Sequence, residues 1–159
     1  MGLGFTVLGA ALAAQRGEDI DSILAMVRGM ILQTHVIFAL ETTEYLERAP
    51  QFAKLCAAIG DVSEARALIH LEEGSFDLSE KVRTRAKAIE RLYEFAELFP
   101  HIEDLAVLYS TTPADADGLV KRIDTVFRKE QVVVSQYGPA VGMFLGPGAM
   151  GVAAYEGKG

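Results

Sequence analysis

The C-terminal segment GPAVGMFLGPGAMG, residues 138–151, limits the fold more than any other part of the chain. Five of its fourteen residues are glycine and two are proline. Such a segment cannot continue a long helix or strand, because proline lacks an amide donor and glycine loses the most backbone entropy on folding. The apolar runs QVVVSQY, AVGMFL and AMGVAAY are interpreted as three short strands, separated by tight turns at residues 138–139 and 146–148. Tight turns favour antiparallel pairing among them.

Helix and strand patterns alternate along the rest of the chain. Strands are predicted over residues 34–40 and in ARALIHL, SFDL and DLAVLYS, with a hairpin turn at residues 72–74. Helices are predicted over residues 3–15, 19–32 and 79–99, in two short pieces within residues 42–60, and from Pro113 after the N-cap Thr112. This order indicates an α+β domain in two layers, a mostly antiparallel sheet covered by helices.

The first two helices are expected to be buried. Residues 3–15 are apolar on nearly every side, which is typical of a helix that packs against more than one neighbour. The second helix carries Ile20, Ile23, Leu24, Val27 and Ile31 at three- and four-residue spacing. We expect this stripe to face the core.

Composition restricts the function. A chain of 159 residues is about one domain long, so residues 1–159 are treated as a single domain. The net charge of −7 argues against a nucleic-acid partner, and the one dense cationic stretch, KVRTRAK, is interpreted as a solvated helix start. One cysteine and three scattered histidines do not have the spacing of a metal site. No run approaches the ~20 apolar residues of a membrane span, so a cytoplasmic protein is expected.

No group of side chains predicts catalysis. His35, His70 and His101 each lack an adjacent nucleophile and a matching acid, so no triad is proposed. Cys56 is interpreted as a small buried residue, and an enzyme that uses Cys56 or a histidine is the weakest hypothesis. Residues 146–148 could form an anion-binding nest, but without a following Gly-Lys-Ser/Thr a tight strand connection is favoured. Binding suits this chain better than bond breaking.

Three segments resemble the C-terminal domain of the DegV family of bacterial fatty-acid-binding proteins. GPAVGMFLGPGAMGVAAY resembles the family's ending, in which Gly-Pro and a hydrophobic pair precede Gly-x-His-x-Gly-Pro-Gly-Ala. FALETTEYLERAP resembles the segment before Gly-Gly-Arg-Ile, and KVRTRAKAIERL resembles the Val-Arg-Thr-Arg segment that opens a long helix. The resemblance covers essentially the whole chain, and it implies a DegV-type C-terminal domain without the family's N-terminal domain.

The resemblance implies non-catalytic binding of a long-chain fatty acid. The acyl tail would occupy an apolar tunnel, the carboxylate would lie near the glycine-rich ending, and no metal or cofactor would take part. The implied ligand-binding residues are Gln51, Phe52, Gly142, Met143, Phe144, Leu145 and Gly146. Phe144 stands at the family's histidine and Gln51 at its arginine, so presentation of the head group to a fatty acid kinase is expected to be impaired.

An alternative function remains open at this stage. A DegV-like half would expose the face that adjoins the N-terminal domain in the family. That face could pair with a second copy, giving a homo-oligomer, or with a separate N-terminal-domain chain. The protein would then be a structural or interaction module that binds no lipid, and a tunnel blocked by Phe144 would favour this alternative.

Overall fold

The computed structural model describes residues 1–60, 65–72 and 74–157. Its strands are β1 (Thr34–Ala39), β2 (Arg66–Glu72), β3 (Ser75–Val82), β4 (Ile102–Tyr109), β5 (Val133–Gln136) and β6 (Met150–Glu156). Its α-helices are α1 (Gly2–Gln15), α2 (Ile20–Leu32), α3 (Glu44–Glu47), α4 (Ala53–Ile59), α5 (Arg85–Glu97), α6 (Pro113–Ile123) and α7 (Pro139–Leu145). Short 3-10 turns occupy Pro50–Phe52 and Lys129–Gln131.

One sheet organises these elements. Its described strands follow the order β3-β2-β1-β6-β4-β5. Among the pairs of described strands, β4 and β5 run parallel and the other four pairs are antiparallel. The predicted α+β class, with a mostly antiparallel sheet covered by helices, is confirmed.

Helices lie against both faces of this sheet. Along β1, Ile37 and Ala39 belong to the core cluster that includes residues of α5 and α6. Val36 and Phe38, which alternate with them, belong to a second cluster with residues of α1, α2, α3, α4 and α7. Strands that are apolar on both faces need cover on both. The helical layer expected on one side of the sheet is therefore accompanied by a second on the other side.

The glycine-rich ending differs from the prediction in its middle segment. AVGMFL was predicted to be a strand, whereas Pro139–Leu145 forms helix α7. Pro139 at the first helical position and Gly146 at the C-cap, with φ +73°, define a helix start and stop around this short run. Because α7 separates β5 from β6, these two strands do not form the predicted antiparallel hairpin. Instead β5 pairs in parallel with β4.

The predicted long helix over residues 79–99 starts later than expected. Residues 79–82 continue β3, which pairs antiparallel with β2 in the predicted hairpin. Gly74 in its turn has φ +81°, and Glu73 lies outside the described residues. Helix α5 begins after Thr84, whose hydroxyl oxygen accepts a hydrogen bond from the Lys87 amide at 3.1 Å. This side-chain cap sets the helix start.

The prediction that the first two helices are buried is wrong for one side of each helix, where apolar side chains are exposed. Leu3 of α1 is 79% exposed, and Ile20 and Ile31 of α2 are 66% and 59% exposed. The body of the domain is contacted instead through Phe5 of α1 and Met30 of α2, both of which are buried in the second core cluster. Helical periodicity identifies an apolar stripe but not the partner that covers it.

Candidate functional site

The fold brings together two of the segments that the resemblance assigned to ligand binding. Phe144 on α7 packs edge-to-face against Phe52, which ends the 3-10 turn before α4, with ring centroids 5.2 Å apart. Leu145 is buried in the core, whereas Met143 on the opposite side of α7 is 61% exposed. Gln51 is exposed beside Phe52. Phe144, Phe52 and Gln51 therefore lie in one region, whereas Met143 faces solvent.

An aromatic series continues inward from Phe144 and Phe52. Phe52 lies 5.9 Å from Phe76 on β3, and Phe76 lies 6.3 Å from Phe38 on β1. Phe38 in turn meets Tyr137 edge-on at 6.2 Å. Tilted and edge-to-face rings at these separations are favourable arrangements. The series gives the region a wall that is apolar throughout, apart from the Tyr137 hydroxyl.

Gly146 is required by close packing at the end of α7. A Cβ atom built on Gly146 would lie 2.5 Å from the Tyr45 ring, and its φ of +73° disfavours side chains. The Tyr137 hydroxyl donates to the carbonyl oxygens of Gly146 at 3.0 Å and Ala149 at 3.3 Å. Burial raises the pKa of Tyr137, which keeps this hydroxyl a donor.

The glycine turn joins α7 to β6 and not, as was predicted, two strands, and its amides are used internally. The Gly146 amide donates to the Gly142 carbonyl at 2.9 Å, and the Gly148 amide donates to the Thr111 hydroxyl at 3.0 Å. An anion would have to displace these bonds. A Cβ atom built on Gly142 would lie 3.8 Å from the Tyr137 ring.

Two neighbouring cavities open on this face of the sheet, one of them beside the aromatic series. One, of about 470 Å³, lies between α4 and β3 and is lined by Gln51, Phe52, Phe76 and others. The second, of about 220 Å³, lies between α1, α2 and the sheet and is lined mainly by apolar atoms, including those of Leu3, Ile31 and Val36. Gly74 lines both cavities. Both cavities therefore lie on the same face of the sheet, on either side of Gly74.

A charged cluster was missed by sequence reasoning. The Arg85 guanidinium donates to the carboxylates of Asp115 at 2.7 Å and Glu41 at 2.9 Å, and to the carbonyl oxygen of Gly148 at 2.9 Å. Arg66 donates two further hydrogen bonds from Nε and Nη2 to Glu41, at 2.9 and 2.5 Å. Hydrogen bonds from Arg66, with Arg85 assisting, lower the pKa of Glu41.

This cluster joins the three segments that carry the family resemblance. Glu41 follows β1 in FALETTEYLERAP, Arg85 belongs to KVRTRAKAIERL, and Gly148 belongs to the glycine-rich ending. The interpretation of KVRTRAK as a solvated start is wrong for Arg85, whose side chain is 28% exposed and holds other elements. Arg85 also donates to the Thr112 hydroxyl, which makes no side-chain cap for α6. The signal in the sequence that could have predicted this cluster was that all three segments occur together in the family resemblance.

The other reactive residues do not converge on a site. Cys56 is half-buried, and burial, followed by the charge of Glu47, raises the pKa of its thiol. His35 stacks on Phe99 with ring centroids 4.5 Å apart. Within residues 1–60, 65–72 and 74–157, no three His, Cys, Asp or Glu side chains are grouped so that they could hold a metal ion. Over the same residues, no helix combines the length and apolarity that crossing a membrane requires.

Known proteins similar to this chain agree in family. A DegV domain-containing protein of Streptomyces coelicolor is 34% identical over 155 residues, which are 96% of this chain and 55% of that protein. A fatty-acid-binding DegV family protein of Streptococcus agalactiae matches with a TM-score of 0.87 and 24% identity, over 98% of this chain and 56% of its own. A structure described as fatty acid binding of a DegV family protein, from Thermus thermophilus, gives a TM-score of 0.84 and 24% identity, over 98% and 57%.

The chain thus spans little more than half the length of these relatives. The sequence profile described as "Uncharacterised protein, DegV family" matches residues 1–157. The order of strands and helices, the profile match and the 34% identical relative all lead to the same assignment: this chain belongs to the DegV family.

Proposed function

We propose that this chain binds a long-chain fatty acid and does no chemistry on it. The observation that carries the proposal is the pair of cavities that meet at Gly74, one lined by Phe52 and the other mainly by apolar atoms. The descriptions of the Streptococcus and Thermus proteins as fatty-acid-binding support it. No observation favours the alternative of a module that binds no lipid.

The acyl tail runs from Phe52 past Gly74 to the groove of Leu3 and Ile31 in this proposal. A long saturated tail carries roughly fourteen methylenes at ~0.8 kcal/mol each, an upper limit of about 11 kcal/mol. A charge-assisted hydrogen bond to the carboxylate adds about 1.5–3 kcal/mol. Ordering of the tail reduces the first figure considerably. Even so, the tail dominates the affinity, and loss of a head-group donor weakens binding without abolishing it.

The carboxylate lies at Gln51, Phe52 and Phe144 in this proposal, with Gly142, Met143, Leu145 and Gly146 forming the adjoining helix end. Phe144 offers no donor to it. The Gln51 amide does, and Lys54, which lines the same cavity, forms no ion pair with a described residue. Asp77 also lines this cavity and opposes an anion there. The head group is therefore held weakly.

The same proposal covers the domain organisation, the location and the partners of the protein. We infer a single domain over residues 1–159 that corresponds to the family's C-terminal domain and works in the cytoplasm. A fatty acid kinase phosphorylates the bound acid poorly, because the site around the head group lacks the family's histidine and arginine. A separate chain that supplies the family's N-terminal domain would provide further donors. The substitutions at Phe144 and Gln51 support the statement about the kinase.

Native mass spectrometry of freshly purified protein tests the proposal, followed by denaturing extraction of anything bound. We expect one fatty acid per chain, and extraction then identifies the tail length. Protein that is free of lipid, and remains so after incubation with excess hexadecanoic and octadecenoic acids, would contradict it. Octylamine, a cation with a short tail, serves as the control ligand.

A further inference from the structure

Helix α2 carries an apolar stripe that the rest of the domain does not cover. Ile20, Leu24 and Ile31, the α2 stripe, are 66%, 44% and 59% exposed. Their spacing of four and seven residues places them on one side of the helix. Scattered exposed apolar residues are ordinary, whereas exposed apolar residues that share one side of a helix offer a contact surface. Leu3 of α1 lines the same groove as Ile31 and extends this surface onto α1.

Two opposite charges border the α2 stripe on one flank. Asp21 and Arg28 are both exposed, and neither forms an ion pair with a described residue. They are seven residues apart, two helical turns, so they project from the same side of α2. The N-terminal cap of the helix is made by Asp19 and not by Asp21. Asp21 and Arg28 are therefore free to meet charges on another molecule.

This arrangement is complementary to itself. Two copies of α2 can pack antiparallel about a two-fold axis that is level with Ala25. Residue 29 of the second copy then lies opposite Asp21 of the first, and residue 30 of the second copy lies opposite Ile20. Arg28 and Ile31 of the second copy then lie within one residue, 1.5 Å along the axis, of those positions. A two-fold axis between the helices keeps the charged flanks of both copies on the same side. Two Asp21–Arg28 pairs border a shared apolar seam.

We propose that the α2 stripe is the contact surface of a homodimer, in which α2 of each copy packs antiparallel against the other. The complementary charges select a second copy of this chain as the occupant, because each copy supplies both signs at the matching heights. The packing also covers Ile20, Leu24 and Ile31. The seam shares Ile31 with the groove proposed for the acyl tail, and its test measures association of the chains and not lipid binding.

Analytical ultracentrifugation of the full chain over a concentration series tests the dimer. The wild type is expected to sediment with twice the 17.2 kDa chain mass. Asp21→Arg and Arg28→Asp each replace two attractions with two repulsions, so each single variant should raise the dimer dissociation constant at least about tenfold. The double variant Asp21→Arg/Arg28→Asp restores the pairing and should return the constant to within about threefold of wild type.

Controls separate this surface from general charge effects and from loss of fold. Glu130→Arg makes the same change of charge at an exposed position outside α2, and it should leave the dimer intact. Circular dichroism melts establish that each variant is folded, since Asp21 and Arg28 are solvent-exposed. A monomeric wild type at about 100 μM, a concentration at which ordinary specific dimers form, would overturn the proposal. Single and double variants that dimerise equally would overturn it too.

Discussion

The Arg85 guanidinium donates a hydrogen bond to the carbonyl oxygen of Gly148 at 2.9 Å, and so ties the first turn of α5 to the turn before β6. The same side chain reaches Glu41 after β1 and Asp115 in α6. Four segments that are far apart in sequence therefore meet at one guanidinium. A planar group with five donors in fixed directions can make such a junction, whereas an ammonium cannot.

Replacement of Arg85 should destabilise the domain more than an ordinary surface change. Arg85→Met leaves Asp115 and the Gly148 carbonyl without this donor, which should lower the free energy of unfolding by about 1.5–3 kcal/mol. Arg85→Lys keeps the charge but not the directions, and should recover less than half of the loss. Urea unfolding measures both. A loss under about 0.5 kcal/mol for Arg85→Met would mean that the cluster contributes no more than an exposed pair.

The Glu41 carboxylate should make stability depend on acid. Its pKa is lowered from 4.5 in the folded state by hydrogen bonds from Arg66 and Arg85. A lowered folded pKa stabilises the fold fully above the unfolded pKa, and this contribution is lost as the pH falls through the folded value. The free energy of unfolding should therefore fall below about pH 5, and less steeply in Glu41→Gln.

The matched control for this pH experiment is Glu44→Gln. Glu44 is exposed and forms no ion pair with a described residue. Its variant should therefore keep the acid dependence of the wild type between about pH 6 and pH 3. Denaturant unfolding at each pH provides the comparison. Identical pH profiles for wild type and Glu41→Gln would show that the Arg66 and Arg85 contacts contribute nothing to the folded state.

Gly146 should tolerate no side chain. In Gly146→Ala the new Cβ meets the Tyr45 ring at 2.5 Å, and the residue must keep a φ of +73°. We expect a loss of about 1–3 kcal/mol in the free energy of unfolding. Gly118→Ala is the matched control, because Gly118 lies inside α6 with nothing within 4 Å of an added Cβ. It should stabilise by about 0.5–1 kcal/mol. Thermal melts of equal midpoint would contradict both expectations.

The larger cavity should lose ligand affinity when it is filled. Ala58 lines this cavity between α4 and β3, so Ala58→Trp displaces part of the bound tail. Exclusion of about two methylenes costs roughly 1.6 kcal/mol, which is about fifteenfold in the dissociation constant for hexadecanoic acid. Ala57→Trp is the control, since Ala57 is exposed on the same helix and does not line the cavity. Equal affinities of both variants would place the tail elsewhere.

Local signals predicted the elements whose ends are set by local chemistry. The β2–β3 hairpin around Gly74 and the start of α6 at Pro113 were predicted correctly because a positive φ and a missing amide act within a few residues. The segment Pro139–Leu145 was mistaken for a strand because a mostly apolar run of seven residues between glycines fits either period. In such short segments, the tertiary contacts of Leu145 and Phe144 favour the helix.

The contacts of the site depend on long-range geometry that no single segment encodes. Gln51, Phe52 and Phe144 were grouped as ligand-binding residues by family resemblance, which stays a prediction, and the rings of Phe52 and Phe144 are in contact. The hydrogen bonds from Arg85 to Glu41 and Gly148 join residues 44 and 63 positions apart. Periodicity cannot predict such pairings. It also cannot distinguish a stripe that faces the core from one, such as that on α2, that stays exposed.

Restoration of a head-group donor should tighten binding of the proposed ligand. Phe144→His places an imidazole at the position where the family resemblance puts its histidine, next to Phe52. The resulting hydrogen bond to a carboxylate should improve affinity for hexadecanoic acid by about 1–3 kcal/mol, and most strongly below the histidine pKa. Met143→His is the control, because Met143 is 61% exposed on the other side of α7 and should not change affinity. Isothermal titration calorimetry with hexadecanoic acid and with its methyl ester separates the contribution of the carboxylate to the binding free energy from that of the tail. A gain of equal size for both ligands, or none for either, would place the head group away from Phe144.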